Sequence, residues 1–541
     1  PLTITLPAHA TRTHPVFALD GAAIAPSPNY VAVLDVPTLD ETAAKAAPPV
    51  SPFAIHGVLG EPGETDTYRL RAKSGEALDI RVLARRLRSP LDMVLTILDD
   101  KGTALASNDD AAGADPELRW TAPADGEFQL QVRDHRGRGG PALVYRLEVE
   151  QPRPGVSAAL ERIDARRPQL LQSICVPRGN TFAVMMRAER RDASGEVKFS
   201  MPELPPGVSL VAPAVPGELG SAPMVFAASA DAPLEGGLYP VTATLGDSLV
   251  GGFTQQMPLV LGPPNDTVYY QTVLDRLAVA VTEAAPFKVR LVAPTAPLVR
   301  TGGKSLRVVV ERQEGFAGDV TVQMLWNPPG VTSGSSITVP GAASEGVYPL
   351  NASGDAPLKS WQVGLTARAA VGGSEVWVGS PLVELAVADA IARGTLKMAA
   401  AEQGSTALVV CDLEPVRPFE GRATVRLGGL PPNAACAPKE ISSADTSIVF
   451  EVTTTDATPV GQHKSLYCDL ELKAGEEIVA QRLASNGVLR IDKPAPASAP
   501  VPAATVESVA PAAAAPAPPK PLSRLEQIRK KAKGAAPGGN P

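Results

Sequence analysis

The sequence predicts an all-β chain made of tandem β-sandwiches, and three observations carry this prediction. Proline and glycine occur 55 and 47 times in 541 residues, so the chain reverses direction often. Hydrophobic residues make up 44% and charged residues 20%, which is enough apolar material to build cores along most of the length. A short pattern of alternating residues also recurs along the chain, and this length suits roughly three to four domains.

The recurring pattern joins three landmarks. Each copy begins at a glycine and reaches a Pro-Pro pair 10 and 11 residues later. An Asp-Ala pair follows 24 to 26 residues after the second proline. Agreement at two separate offsets indicates three homologous domains. The glycines are Gly195, Gly318 and Gly421, and the aspartates are Asp231, Asp355 and Asp456.

The alternation identifies the kind of domain. In the first copy Val197, Phe199 and Met201 alternate with polar residues, a period of two that is typical of a strand with one buried face. The Pro-Pro step that follows ends the strand in a turn, because proline cannot donate to a sheet ladder. Domains of ~100 residues built from short strands and turns are typical of immunoglobulin-like (Ig-like) β-sandwiches. Their predicted bounds are 156–264, 268–388 and 389–493.

A different pattern fills residues 53–151. Apolar alternations such as Tyr68 with Leu70 are separated by turns rich in glycine and aspartate, including Asp-Asp-Lys-Gly from Asp99 and Asp-Gly-Glu-Phe from Asp125. This succession resembles the bacterial pre-peptidase C-terminal (PPC) domain, a jelly-roll-like β-sandwich found beside secreted peptidases. The resemblance implies an exported multidomain protein of the kind often labelled subtilase-like. Residues 1–52 then form a leading segment or linker, or the remnant of an upstream domain.

No catalytic motif accompanies this resemblance. A PPC domain is an appendage, so catalysis would need a separate domain. The sequence contains no His-Glu-x-x-His, no Gly-x-Ser-x-Gly and no subtilase serine motif. We therefore expect no enzymatic activity, although spacing alone leaves a serine triad built from distant residues open. The five histidines are scattered in unrelated contexts at His9, His14, His56, His135 and His463.

The densest polar cluster lies in the amino-terminal sandwich, within 17 residues. Calcium takes six to eight oxygen ligands, and carboxylates on neighbouring loops can supply them. Plain turns are the alternative, because aspartate and asparagine enrich turns without any metal. No other cofactor is expected. The candidate calcium ligands are Asp99, Asp100, Asn108, Asp109, Asp110 and Asp115.

The positions of two of the four cysteines within the repeat predict a disulfide in the third Ig-like domain. Counted from the repeat landmarks, Cys411 takes the place of Met185 and Val308, and Cys468 takes the place of Ala243 and Ala367. A Cys411–Cys468 bridge would require an oxidising compartment. The alternative is a pair of buried free thiols, which cysteine tolerates well. Without any Cys-x-x-Cys, zinc and thioredoxin-type chemistry are not expected.

The carboxyl-terminal end differs from the body. Residues 494–521 are rich in alanine and proline and predict a disordered, extended linker. Residues 522–541 predict a basic tail with a short amphipathic helix, since Leu522, Leu525 and Ile528 fall near one face. This helix would dock on a partner or an anionic surface, or else the tail only solubilises the chain.

These features predict an exported, non-catalytic array that binds, adheres or acts as a spacer at the cell envelope. Its partners would be an envelope polysaccharide or protein, reached by loops on a rigid frame. The acidic body disfavours nucleic acid, and no apolar run approaches the ~18 residues of a membrane helix. The chain opens at Pro1 without a basic-then-apolar leader, which favours a processed or truncated start. The alternative is the accessory region of a secreted serine peptidase whose catalytic domain lies elsewhere.

Overall fold

Strands dominate the structure, as the sequence predicts. Only one α-helix, α1 (Glu41–Ala46), and one 3-10 helix, Arg85–Leu87, interrupt them in the described part of the chain. Apart from Pro494, the predicted linker and the basic tail lie outside that part. The computed structural model describes residues 6, 13–16, 18–20, 23–24, 29–110, 113–163, 167 and 169–494.

The amino-terminal sandwich stacks a four-stranded sheet, in the order β10-β9-β12-β7, on a five-stranded sheet, in the order β11-β8-β13-β6-β5. Short strands of the leading segment precede it. The strands are β1 (Thr13–Val16), β2 (Leu19–Asp20), β3 (Ala23–Ile24), β4 (Asn29–Ala32), β5 (Thr38–Asp40), β6 (Phe53–Val58), β7 (Thr65–Ala72), β8 (Ala77–Leu83), β9 (Met93–Leu98), β10 (Ala104–Asn108), β11 (Glu117–Thr121), β12 (Gly126–Asp134) and β13 (Val144–Glu150).

Strand β7 shows how residue alternation builds this core. Tyr68, Leu70 and Ala72 are buried, whereas Arg69 and Arg71 between them are exposed. Successive side chains of a strand point to opposite faces, so one face of β7 packs inward and the other meets water. The apolar faces of both sheets meet in one continuous core.

The leading segment contributes to this sandwich. Strand β5 pairs in parallel with β6, and Asp40 Oδ1 caps α1 by accepting a hydrogen bond from Ala43 N at 2.8 Å. Ala44 of α1 is buried in the core. The sandwich therefore starts at Thr38, earlier than the predicted residue 53.

A buried polar network holds α1 to the sheets. Lys45 Nζ lies 2.5 Å from Asp66 Oδ1, and the Tyr145 hydroxyl donates to Asp66 Oδ2 at 2.6 Å. The Tyr68 and Tyr145 hydroxyls are 2.6 Å apart, and burial raises the pKa of both. Because Asp66 is buried, these partners are what make its charge tolerable inside the sandwich.

The first Ig-like sandwich combines a seven-stranded sheet, in the order β17-β21-β22-β14-β16-β19-β18, with a three-stranded sheet, in the order β15-β25-β20. A separate hairpin is formed by β23 and β24. The strands are β14 (Gly155–Leu160), β15 (Ile174–Pro177), β16 (Thr181–Arg191), β17 (Val197–Ser200), β18 (Val208–Val211), β19 (Ser221–Ala228), β20 (Gly236–Tyr239), β21 (Thr242–Leu245), β22 (Ser248–Phe253), β23 (Gln255–Gly262), β24 (Thr267–Leu274) and β25 (Leu277–Thr282).

The end of this sandwich differs from the predicted boundary at 264–268. Strand β25 pairs with β15 and β20 of the first sandwich, and its Leu277, Val279 and Val281 join the first Ig-like core. The second core begins only at Ala285. The predicted boundary falls inside the β23–β24 hairpin, because that inserted hairpin delays the last strand of the domain.

The second and third sandwiches share one nine-stranded sheet, whose main path is β30-β32-β28-β45-β44-β40-β42. The strands of the second are β26 (Phe287–Leu291), β27 (Leu298–Val299), β28 (Gly302–Arg312), β29 (Val320–Met324), β30 (Val331–Ser333), β31 (Ile337–Val339), β32 (Glu345–Ala352), β33 (Ser360–Val363), β34 (Leu365–Val371), β35 (Ser374–Gly379) and β36 (Val383–Ala388). Those of the third are β37 (Ala392–Leu396), β38 (Ala399–Glu402), β39 (Thr406–Pro415), β40 (Ala423–Gly428), β41 (Ala435–Cys436), β42 (Lys439–Ile441), β43 (Ser447–Thr453), β44 (Gly461–Ala474) and β45 (Glu477–Asp492).

The repeated sequence landmarks have a structural explanation. Strands β17, β29 and β40 each begin two residues after the repeat glycine. The residue after the Pro-Pro pair has a positive φ in every copy, 75° at Gly207, 73° at Gly330 and 62° at Asn433. This turn lies against the Asp-Ala element, as shown by the hydrogen bond from Ser353 N to Gly330 O at 2.8 Å. The two motifs recur together because they are in contact.

This turn permits a matched test. We expect Gly330→Ala to cost at least ~1–2 kcal/mol, because a left-handed backbone disfavours a Cβ. The new Cβ would also lie 2.6 Å from Ala356 Cα. Asn433→Gly, the reverse change at the equivalent turn, should alter stability by less than ~1 kcal/mol. Urea unfolding measures the stability of both variants. Equal losses of stability would contradict the role assigned to the left-handed turn residue.

Candidate functional site

The described histidines do not form a catalytic pair with a serine or cysteine. His56 Nε2 lies 2.7 Å from Arg146 Nη1, and burial together with this guanidinium lowers its pKa. His463 Nε2 lies 2.8 Å from the Pro459 carbonyl. Among the described residues, no hydrogen bond joins a histidine to a serine hydroxyl or a thiol. His9 lies outside the described residues.

Asp115, one of the predicted calcium ligands, is a buried helix cap. Its Oδ1 accepts a hydrogen bond from Arg85 N at 2.7 Å, and its Oδ2 accepts one from Arg86 N at 2.9 Å. Its side chain is buried. These bonds satisfy the free N–H groups at the start of the 3-10 helix, which is an ordinary structural role for an aspartate.

The other predicted calcium ligands lie in exposed turns or at a strand end. Asp99 Oδ1 accepts hydrogen bonds from Lys101 N and Thr103 N, and these bonds lower the pKa of Asp99. Within the ranges that the structure describes, no three carboxylate, imidazole or thiol groups could hold a metal together. The remaining members are Asp100, Asn108, Asp109 and Asp110, of which Asn108 and Asp109 accept backbone hydrogen bonds.

The calcium site stays a prediction with a direct test. Calcium at 100 times its dissociation constant would stabilise the folded chain by ~2.7 kcal/mol. Thermal melting of the full chain in calcium and in chelator measures this. Identical melting curves would refute the site, and loss of the calcium shift in Asp109→Asn would locate it. Asp66→Asn cannot serve as the control for Asp109→Asn, because Asp66 is buried.

The two predicted disulfide partners lie in one core. Cys411 is on β39 and Cys468 on β44, strands of different sheets, and both side chains are fully buried. Their thiols interact with each other, and this contact together with burial raises the pKa of Cys468. Both are free thiols in this structure, so the disulfide remains a prediction.

The sequence equivalences of these cysteines need correction. Arg190 and Arg312 each donate hydrogen bonds to the two carbonyls of a Val-Pro pair in their own repeat, so the two arginines occupy equivalent positions. The residue four positions before the arginine is Met186 in the first repeat and Val308 in the second. The buried counterpart of Val308 is therefore Met186 and not Met185, because the following turn is one residue shorter in the first repeat. A hidden change in turn length misaligned the first repeat by one position.

The return strand is also displaced. Cys468 pairs with Leu427, and the equivalent Met324 of the second repeat pairs with Leu365. Leu365 and not Ala367 thus corresponds to Cys468, and in the first repeat the ladder that pairs Phe199 with Ala243 and Ser200 with Thr242 places Val241 there and not Ala243. The stretch after the Asp-Ala element is two residues longer in the third repeat than in the other two.

Ion pairs connect the amino-terminal sandwich to the first Ig-like sandwich. Arg119 Nε lies 2.8 Å from Asp79 Oδ1, and its Nη2 lies 2.6 Å from Asp192 Oδ2 across the junction. Arg191 reaches back to Asp79 Oδ2 at 2.8 Å and to Glu117 Oε1 at 2.7 Å. Burial opposes ionisation of Asp79, yet the two guanidiniums lower its pKa. The network therefore links the two domains through charged side chains.

Direct hydrogen bonds connect the first and second Ig-like sandwiches. Asn180 Nδ2 donates to the Phe287 carbonyl at 2.8 Å, and Thr181 Oγ1 donates to the Gly379 carbonyl at 2.6 Å. A Cβ on Gly379 would lie 2.7 Å from Ala183, so the two backbones approach as closely as glycine allows.

The second and third sandwiches are joined by backbone pairing. Gly302 of β28 faces Gln481 of β45, and Gly303 faces Ala480. A Cβ on Gly302 would lie 2.3 Å from the Ala480 carbonyl oxygen. The Gln481 side chain accepts a hydrogen bond from Ile391 N at 2.6 Å. The sheet therefore continues from one domain into the next.

An ion pair also connects the second and third sandwiches. Lys304 Nζ lies 2.6 Å from Glu477 Oε2, which also accepts from Ala296 N at 2.9 Å, while Oε1 accepts from Thr295 N at 3.0 Å. Burial opposes ionisation of Glu477, but Lys304 and the two N–H groups lower its pKa to about 2. No sequence motif marks this pair, because its partners are 173 residues apart.

Comparison with known proteins identifies the amino-terminal sandwich. Residues 64–134 match the family described as the bacterial pre-peptidase C-terminal domain. This sandwich is a PPC domain. The chain is 36% identical over 76 residues to a probable subtilase-type serine protease of Deinococcus radiodurans. That match covers 14% of this chain and 10% of the protease, so the chain spans about a tenth of that relative's length.

Solved structures with similar parts also include a PPC domain. The pre-peptidase C-terminal domain of the Bacillus anthracis collagenase is 21% identical, covers 22% of this chain and 99% of its own, and gives a TM-score of 0.17. The D0–D1 domain of intimin is 12% identical, with 43% and 99% covered and a TM-score of 0.15. Domains 4–9 of the surface layer protein SbsC are 10% identical, with 74% and 58% covered and a TM-score of 0.18.

The described chain is thus a PPC domain followed by Ig-like sandwiches, which is a non-catalytic accessory architecture. No catalytic domain is evident among the described residues. Among those same residues, no helix has the length and apolarity to cross a membrane.

Proposed function

We propose that this chain is an exported, non-catalytic array that positions binding surfaces at the cell envelope. The observation that carries the proposal is the set of three junctions, each closed by hydrogen bonds or ion pairs within one compact unit. Domains joined by small contacts usually move relative to one another. Closed junctions instead favour a stiff spacer, which is useful for holding a binding surface at a fixed distance.

A groove at the last junction is a suitable place for such binding. It has a volume of about 960 Å³ and is lined by polar and apolar groups in similar shares, the polar ones including Asn351, Thr395 and Ser485. On the same side Arg482 lies 4.1 Å from the centre of the Tyr467 ring and pairs with Asp469. Hydroxyl, amide and guanidinium groups suit a polysaccharide, which offers many hydroxyls for hydrogen bonding.

The test uses the purified full chain and cell-wall polysaccharide. We expect the chain to sediment with insoluble polysaccharide and to cleave no protein substrate. Thr395→Trp should block the groove and reduce sedimentation at least about tenfold, the loss expected when a bulky side chain clashes with a ligand. Thr406→Trp is the matched control, since Thr406 is exposed on β39 outside the groove. Equal binding by both variants would exclude the groove.

The relative in Deinococcus radiodurans favours a second candidate. Here the chain would be the accessory region of a secreted serine peptidase whose catalytic domain lies elsewhere. The gene sequence upstream of Pro1 separates the two candidates: a peptidase domain there supports the second, and a signal peptide directly before Pro1 supports the first. Peptidase activity of the chain alone, lost on substituting one serine or histidine, would overturn both.

A further inference from the structure

The three domain junctions differ in the contacts that hold them. At the last junction, Ala296 and Val299 of the second Ig-like sandwich belong to the core of the third. At the middle junction, Trp377 of the second sandwich packs against the core of the first. Between the PPC sandwich and the first Ig-like sandwich, no apolar core cluster of the described residues contains members of both. The first junction therefore lacks the apolar contact that the other two have.

Backbone pairing does not hold the first junction either. Within the ranges that the structure describes, no backbone hydrogen bond joins the two sandwiches. The linker 151–154 connects them, and four extended residues reach only ~13 Å. The leading segment approaches the Ig-like domain at Asp275, since burial and then this carboxylate raise the pKa of Tyr30. The linker keeps the sandwiches close, and the ion pairs between them orient one on the other.

These ion pairs can separate without leaving a buried charge alone. Arg119 and Asp79 lie on neighbouring strands of the PPC sandwich, so they stay paired when the two domains part. The side chains of Arg191 and Asp192, on the Ig-like side, are 45% and 36% exposed. Water can therefore replace the partners that these two residues lose.

Salt weakens contacts of this kind. The distance over which charges act in solution falls from ~10 Å in 0.1 M salt to ~3 Å in 1 M salt. Exposed ion pairs are weak even before this screening. Glu117, the remaining acid of the network, keeps Arg81 of its own sandwich at 3.9 Å after Arg191 has left. Both sides of the first junction are thus stable when separated.

We propose that the first junction is an ionic hinge, which salt opens so that the PPC domain reorients on the linker 151–154. The three Ig-like domains then move as one body, because apolar contacts hold their two junctions. Domains joined by small polar contacts commonly move in this way. The inference goes beyond the proposed function and does not depend on polysaccharide binding, since the groove lies at the last junction.

Distance measurement between two nitroxide spin labels on the full chain tests the hinge. Exposed Cys175 carries one label, and Lys101→Cys in an exposed turn of the PPC domain carries the other. Cys436→Ser removes the half-buried thiol, while Cys411 and Cys468 are buried and stay unlabelled. We expect a narrow distance distribution in ~20 mM salt and one at least about twice as wide in ~1 M salt.

Charge variants separate the ionic hinge from a general effect of salt. Arg191→Gln removes two of the three ion pairs that the described residues form across the junction, so it should widen the distribution already at low salt. Arg187→Gln is the matched control on the same strand, because Arg187 pairs with Glu189 of its own domain at 2.7 Å. Asp192→Asn removes the third pair and should widen the distribution less, since asparagine tolerates the φ of 53° there.

A second pair of labels tests the rigid part of the chain. Cys175 with Ser335→Cys, in an exposed turn of the second Ig-like domain, should give a narrow distribution at both salt concentrations. Widening of this pair by salt would overturn the single rigid body. Wild-type PPC distances that stay narrow in ~1 M salt, or that are already wide in ~20 mM salt, overturn the hinge. Equal widening by Arg187→Gln and Arg191→Gln overturns it as well.

Discussion

Replacing Glu477 with glutamine is expected to destabilise the junction between the second and third Ig-like sandwiches by about 3–5 kcal/mol, the usual cost of leaving a buried charge without its partner. Lys304 is only 6% exposed, so its ammonium group cannot recover hydration when Glu477 is neutral. The substitution retains the size of the side chain. The effect should therefore report the lost charge and not a cavity.

Hydrogen exchange of β28 and β45 across a urea series measures this effect, because those two strands form the junction. Glu471→Gln is the matched control. Glu471 lies 3.9 Å from Arg426 on the surface, and such exposed pairs contribute about 0–1 kcal/mol. If both variants lose the same stability, the junction does not depend on the Lys304–Glu477 contact.

The same contact has a defined pH dependence. Folding lowers the pKa of Glu477 from 4.5 to about 2, so the folded state favours its charged form. The stabilisation is complete above pH 4.5 and is lost as the pH falls toward 2. The difference in stability between wild type and Glu477→Gln should therefore shrink over this interval. The free energy of a free proton changes by roughly 6 kcal/mol between pH 7 and pH 2.5. A stability difference between wild type and Glu477→Gln that stays constant over this range would contradict the lowered pKa of Glu477.

Oxidation of Cys411 and Cys468 is expected to stabilise the third repeat by about 3–4 kcal/mol, because a bridge across 57 residues restricts the unfolded chain. The bridge would join the two sheets of one sandwich, the arrangement found in antibody domains. Both thiols are fully buried, so oxidants and exchange partners cannot reach them once the domain has folded. The bridge should form when the unfolded chain is refolded under oxidising conditions.

Urea unfolding of the oxidised and reduced chain measures this stabilisation, and peptide mass spectrometry identifies the bridge. Cys175→Ser with Cys436→Ser removes the competing thiols and should retain the effect. Cys411→Val cannot bridge and should show no difference between oxidised and reduced samples. Recovery of Cys436 in the bridge, or thiols that stay reduced throughout, would contradict the prediction.

Local patterns in the sequence were enough to predict the repeated strands and turns. Val197, Phe199 and Met201 are buried as their alternation predicts, and each Pro-Pro pair leads into the predicted turn, where the next residue has a positive φ. Counting from landmarks failed where a turn changed length. That is why Met186 and Leu365, rather than Met185 and Ala367, occupy the positions of the two cysteines in the other repeats.

The sequence by itself determined the all-β class, the PPC domain and the three Ig-like units, because strand alternation and turn chemistry act over a few residues. Only the tertiary structure decided where the domains meet and what joins them. Lys304 with Glu477, and Arg119 with Asp192, are brought together by folding from distant parts of the chain. Long-range contacts of this kind leave no periodic trace in one sequence, so the junctions became visible only in three dimensions.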